Sequence, residues 1–110
     1  MRRTYVYLPQ TLDAVRVLGL EVAAARRRRR MTAKDLAERA HIDSKTLRKV
    51  ERGDPTVAVG TMFEVAGLVG IDLFGVEPSR LPSMVQRAED RLSLLPSRVV
   101  EPGGEVDDDF

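Results

Sequence analysis

The segment from Thr32 to Gly53 constrains this chain more than any other. It holds two short apolar-periodic runs, each opened by a capping residue, with only a brief break between them. Thr32 precedes the first run, and Asp35 three residues on supplies the acidic partner of a variant capping box. Leu36, Ala37 and Ala40 then share one face, so the spacing predicts a helix over 33–40. His41-Ile42 is a turn. Asp43 caps a second helix over Ser44–Arg52, with Leu47 and Val50 inward and Gly53 just past its end.

Helical periodicity continues on both sides. Leu12, Val15, Leu18, Val22 and Ala25 recur at three- and four-residue steps, a helix from Gln10 that Gly19 interrupts mildly. It ends in Arg26–Arg30, cations at the negative end of the macrodipole. Met62, Val65, Ala66 and Val69 predict a helix over 59–69 that Gly70 stops, and Ile71–Phe74 is a single helical turn at most. Pro82 suits the first turn of a last helix, whose stripe is Leu81, Met84, Val85, Ala88, Leu92 and Leu95. Thr4–Leu8 is β-branched and aromatic and reads as a short N-terminal strand or an arm. The expected organisation is an arm over 1–9, an all-α domain over 10–75, a C-terminal helix over 76–96 for packing or dimerisation, and a flexible acidic tail over 97–110.

Composition narrows the function. A chain of 110 residues makes one domain with tails. It has no cysteine, which excludes a disulfide scaffold, a thiolate metal site and a cysteine nucleophile. Its one histidine, His41, has no carboxylate or thiol cluster to make it a metal ligand or a catalytic base. No Gly-rich phosphate loop follows a strand, and the paired acids Asp107–Asp109 lie in the tail, so an enzyme is not expected and neither is a cofactor. No apolar run approaches ~18 residues, and Thr4–Leu8 is too short for a signal peptide, so a cytoplasmic location without membrane contact is expected. The net charge of +1 hides two halves: residues 1–53 carry fourteen basic and six acidic side chains, residues 54–110 four and eleven. A basic half beside an acidic half suggests a polyanion-binding surface with a separate acidic segment.

Two short helices joined by a tight turn, the second bearing Lys45, Arg48, Lys49 and Arg52, make a helix-turn-helix. Such a unit lays its second helix in the DNA major groove, which is about as wide as a helix and carries the base-distinguishing donors and acceptors on its floor. The stretch Leu36-Ala37-Glu38-Arg39-Ala40, followed by Thr46-Leu47, Val50-Glu51-Arg52-Gly53 and the downstream Val65-Ala66 and Gly70-Ile71, resembles the Xre-type, phage-repressor-like helix-turn-helix family. The resemblance begins near Leu18 and covers a little over half the chain. It implies a five-helix domain, to which the last helix here is an addition, and a double-stranded DNA partner. The family usually has Gly in the turn where this chain has His41, a position that tends to need a positive φ.

The resemblance also implies roles. Ser44, Lys45 and Lys49 match base-reading positions, although both lysines could equally touch only phosphate. Thr46 and Arg48 are backbone contacts. Thr32, Ala33 and Lys34 open a helix whose N–H groups can hold a phosphate, and Arg52 is a further phosphate contact. Arg26 falls on the apolar side of its helix and implies a structural ion pair with Glu51, while Arg27–Arg30 spread around the helix as a largely solvated face. The first reading is therefore a sequence-specific transcriptional regulator, a homodimeric repressor reading two half-sites with helix 44–52. The second is the antitoxin of a toxin–antitoxin pair, including the HipB-like branch, with a toxin protein as further partner. The acidic tail reads as a solubilising end, as a competitor for the basic surface, or as a docking segment for another protein.

Overall fold

The structure is a computed structural model that describes residues 6–102 and the backbone of 106–107. It is all-α apart from one two-stranded pairing near the C-terminus: α1 (Pro9–Arg28), α2 (Ala33–Arg39), α3 (Ser44–Arg52), α4 (Val59–Leu68) and α5 (Leu81–Ser93). The chain divides into two compact units, residues 1–75 and 76–110.

In the first unit all four helices stop in the same way. A residue at the C-cap (Gly53) or just after it (Arg30, His41, Gly70) takes a left-handed conformation, and the next N–H reaches back to a carbonyl five residues earlier, which satisfies carbonyls the helix would leave bare. The bonds are Met31 N to Arg26 O at 3.1 Å, Ile42 N to Ala37 O at 3.0 Å, Asp54 N to Lys49 O at 2.9 Å and Ile71 N to Ala66 O at 3.0 Å. The left-handed residues are Arg30 (φ 56°), His41 (φ 57°), Gly53 (φ 77°) and Gly70 (φ 82°). Glycine is at home there, whereas Arg30 and His41 bear the Cβ–carbonyl crowding of that region. Starts are chemically explicit too. The Thr32 hydroxyl accepts from the Asp35 N–H at 3.0 Å, and the Asp43 carboxylate from the Thr46 N–H at 2.7 Å. Pro9 occupies the first turn of α1, where its missing N–H costs nothing.

One core joins these helices. Val22 and Ala25 of α1, Leu36 and Ala37 of α2, Leu47 and Val50 of α3, and Met62, Val65 and Ala66 of α4 are buried together with Ala40 and Val69. Burying a side chain the size of Leu36 or Leu47 contributes about 1.5–3 kcal/mol relative to leaving it in water. Gly19 has a different reason to be buried. A Cβ there would overlap the carbonyl oxygen of Val50 and stand 2.9 Å from that of Glu51, so α1 meets the C-terminal turn of α3 backbone to backbone. Gly53 makes the reciprocal approach, since a Cβ on it would stand 2.7 Å from the Arg16 Cα.

Three differences from the sequence reading stand out. Where the family resemblance implies a fifth helix in the domain, there is only a 3-10 turn over Leu73–Gly75, and Phe74 within it has φ 58°. Gly70 and Gly75 bracket too few residues for more. Of the two readings of the N-terminal segment, strand or arm, no strand forms over residues 6–8, which run as plain chain into α1, and Thr4-Tyr5 lie outside the described residues. In the tail, β1 (Val99–Val100) pairs antiparallel with β2 (Val106–Asp107), Val99 opposite Asp107 and Val100 opposite Val106. The tail acids Glu105, Asp108 and Asp109, with Phe110, lie outside the described residues.

The second unit stands apart in how little it buries. A 3-10 turn over Pro78–Arg80 leads into α5, and none of the thirteen residues of α5 is buried.

Candidate nucleic-acid interface

α3 is built from its ends inward. Asp43 fixes the first turn, Gly53 the last, and Leu47 and Val50 hold the helix on α1 and α2. With those two residues inward, 3.6-residue geometry turns Lys45, Arg48, Lys49 and Arg52 to the opposite side. Lys45, Arg48 and Arg52 are exposed and Lys49 is half-buried. Ser44 sits exposed at one flank of that face, and Thr46 half-buried at the other, its N–H already taken by Asp43. The result is one strip of four cations along a helix of nine residues.

Two carboxylates border the strip, and both are engaged. Asp43 is held below the usual carboxylate range, first by the backbone N–H of Thr46 and then by the Thr46 side chain, with smaller contributions from Lys45 and Lys49. Asp54 is held low chiefly by the Thr56 side chain and backbone, whose hydroxyl and N–H it accepts at 2.7 and 2.9 Å. Lys49 and Arg52 add to that, and the Arg52 guanidinium stands 3.9 Å from Asp54. An exposed pair at that distance leaves Arg52 available to another anion.

Beneath the strip, Arg26 joins three segments. Its Nε donates to Glu51 Oε2 at 2.7 Å and its Nη2 to Glu51 Oε1 at 3.1 Å, while Nη1 donates to the Met31 carbonyl at 3.0 Å. The two side chains are only 12% and 15% exposed. The bidentate hydrogen bond to Glu51 raises the Arg26 pKa above its ordinary value, against a smaller opposing effect of burial. One guanidinium thus ties the end of α1, the loop into α2 and the last turn of α3. The Met31 bond carried no sequence signal, because the acceptor is a backbone carbonyl.

At the start of α2, Thr32 and Lys34 are exposed and Ala33 is half-buried. Thr32 spends its hydroxyl on the Asp35 N–H, and helix geometry leaves the Ala33 and Lys34 N–H groups without intrahelical acceptors. His41 is exposed at the turn between α2 and α3. Among the described residues no group of side chains could hold a metal ion, and no helix is long and apolar enough to cross a membrane. An apolar groove between α1 and α4, lined by Val15, Leu18, Met62 and Phe63, contains no residue of α3.

A short helix pair that presents a cationic second helix and shares a core with a helix on either side is the arrangement of a DNA-reading domain. A helix-turn-helix family model matches residues 22–76, half of the chain. The chain belongs to the Xre-type helix-turn-helix family. The matched span runs from the second half of α1 through the turn at Leu73–Gly75, so it contains the whole cationic strip, the Arg26–Glu51 pair and all four left-handed helix ends. This Xre-type chain is a DNA-binding regulator. A search of curated proteins finds none that matches it.

Proposed function

We propose that this regulator is a homodimeric repressor that reads operator DNA in the major groove with α3. Ser44, Lys45 and Lys49 contact base edges. Thr46, Arg48 and Arg52 contact phosphates beside them, and Thr32, Ala33 and Lys34 at the start of α2 hold a further phosphate. The observation that carries this reading is the strip on α3, where four cations face away from the core and the bordering carboxylates are already hydrogen-bonded. A two-fold dimer supplies two such helices about one helical turn of DNA apart, which a single small domain needs to gain enough contact.

Selection of bound duplexes from a random pool tests the reading. A palindromic site with half-sites about 10 base pairs apart is expected, with affinity that falls steeply as salt rises. Lys45→Ala and Lys49→Ala are each expected to cost about 1–3 kcal/mol and to relax one position per half-site. Equal weakening on every sequence would reduce these lysines to phosphate contacts, and failure of the wild-type chain to bind any duplex would overturn the reading.

The antitoxin alternative draws on another observation: residues 77–110 lie beyond the matched span and hold an exposed amphipathic helix and an acidic end. Co-expression with the product of the adjacent gene separates the two readings. A stable complex favours the antitoxin, and its absence the free-standing repressor.

A further inference from the structure

We infer that α5 forms a short antiparallel coiled coil with α5 of a second copy of this chain. This deepens the dimeric reading proposed above and rests on it. Three observations carry it. The first is exposure: Val85 is 58%, Leu92 69% and Leu95 64% exposed, and Leu81 and Met84 are only half-buried. A thirteen-residue helix is marginal in water by itself, and a pairing of two-residue strands adds little, so this unit needs something to cover its stripe.

The second observation is the period of the stripe. Within α5, with Met84 at the flank, Leu81, Val85, Ala88 and Leu92 follow one another at steps of four, three and four, and Pro78 before the helix and Leu95 after it continue the register in sequence at steps of three. That alternation averages 3.5 residues, the seam of a two-stranded coiled coil, with Val85 and Leu92 at a positions and Leu81 and Ala88 at d. The stripe of α1, by contrast, steps three, three, four and three through Leu12, Val15, Leu18, Val22 and Ala25 and descends into a globular core.

The third observation is that the seam complements itself in one register. Turn a second α5 antiparallel so that Leu81 meets Leu92 of the other copy. Val85 then meets Ala88, a large residue against a small one on both sides of the two-fold axis. The flanking positions pair Met84 with Arg91 and Pro82 with Glu89, so no like charges oppose. Sliding by one heptad would set Glu89 against Glu89 and Arg91 against Arg91 and strip Leu81 of its partner. A parallel pairing would stack Ala88 on Ala88 and leave a thin layer between thick ones. The antiparallel arrangement also opposes the two helix dipoles.

The full chain is tested in solution. At tens of micromolar, light scattering is expected to give twice the chain mass of 12.3 kDa, and Leu92→Glu to halve it while leaving the thermal melt of the DNA-binding domain in place. Affinity for a palindromic site should fall about tenfold or more with that loss, since the second domain is then no longer tethered. Because the chain has no cysteine, engineered ones report the register cleanly. Oxidising a mixture of the Leu81→Cys and Leu92→Cys variants should yield a covalent dimer, and oxidising either alone should not. Cross-linking of either variant alone would overturn the antiparallel seam. A Leu92→Glu chain that stays dimeric would also overturn it, yet would leave the dimeric repressor standing. A seam-paired dimer that binds no duplex would do the reverse, sinking the repressor while the seam stood. A wild-type monomer that occupies single half-sites without cooperativity would overturn both.

Discussion

Eleven apolar side chains between Val22 and Val69 are buried in one core, whereas α5, with a stripe just as regular, buries none of its thirteen residues. α3 and α5 are both amphipathic, and in both the spacing alone predicts an apolar face. They differ in what lies against that face. α3 is covered by α1 and α2, which follow from the same short stretch of chain and are pinned to it by Gly19 and by Arg26. Periodicity thus tells that a helix has something to bury, and only the neighbouring segments tell whether the burial happens within the fold.

Truncation is the strongest way to press that contrast. Leu47→Ala, at a site 1% exposed, is expected to destabilise the domain by about 2–5 kcal/mol in denaturant unfolding. Leu92→Ala, measured on the same transition, should change it by less than about 0.5 kcal/mol. Similar losses for the two would mean that α5 belongs to the same core.

A smaller effect sharpens how α3 is held. Glu51→Ala leaves the Arg26 guanidinium largely buried without its carboxylate, and a loss of about 3 kcal/mol is expected from breaking one side of such a pair. Arg26→Ala should cost a similar amount, and the double variant should recover part of it, which a double-mutant cycle measures directly.

The smallest effect has the opposite sign. His41→Gly replaces a side chain at φ 57° with the residue that region favours, and about 0.5–1 kcal/mol of stabilisation is expected from the shift in unfolding midpoint. No change would show that the His41 side chain makes compensating contacts with its neighbours in the turn.

Much of this was legible because it is local. Thr32 and Asp43 declare helix starts, Gly53 and Gly70 declare ends, and α3 spans the same residues in the sequence reading as in the structure. His41 could be assigned a positive φ because the family resemblance marks a turn that glycine usually fills. Arg30 could not. It lies inside a run of five arginines, and nothing in the run shows which one leaves the helix. The Arg26–Glu51 pair, separated by twenty-five positions, became visible only through the resemblance, since spacing carries no information across that distance. The role of Gly19 was hidden for a related reason: a close approach of two backbones leaves a trace at the glycine but names no partner. The short strand pairing in the tail is masked in the sequence by the five acids after Val100, although Pro102-Gly103-Gly104 stands between its two valine-bearing segments.

The contact of Gly19 with the last turn of α3 also bears on the entropy of folding. That contact closes a loop of about thirty residues containing α2 and the whole turn, so seating the last turn of α3 carries the entropy cost of that closure. The helix pair alone, cut out at Met31 and Gly53, would lack the surface that makes the closure worthwhile. α1 thus belongs with the helix pair, and the seat of α3 in the domain depends on a glycine more than twenty residues upstream of it.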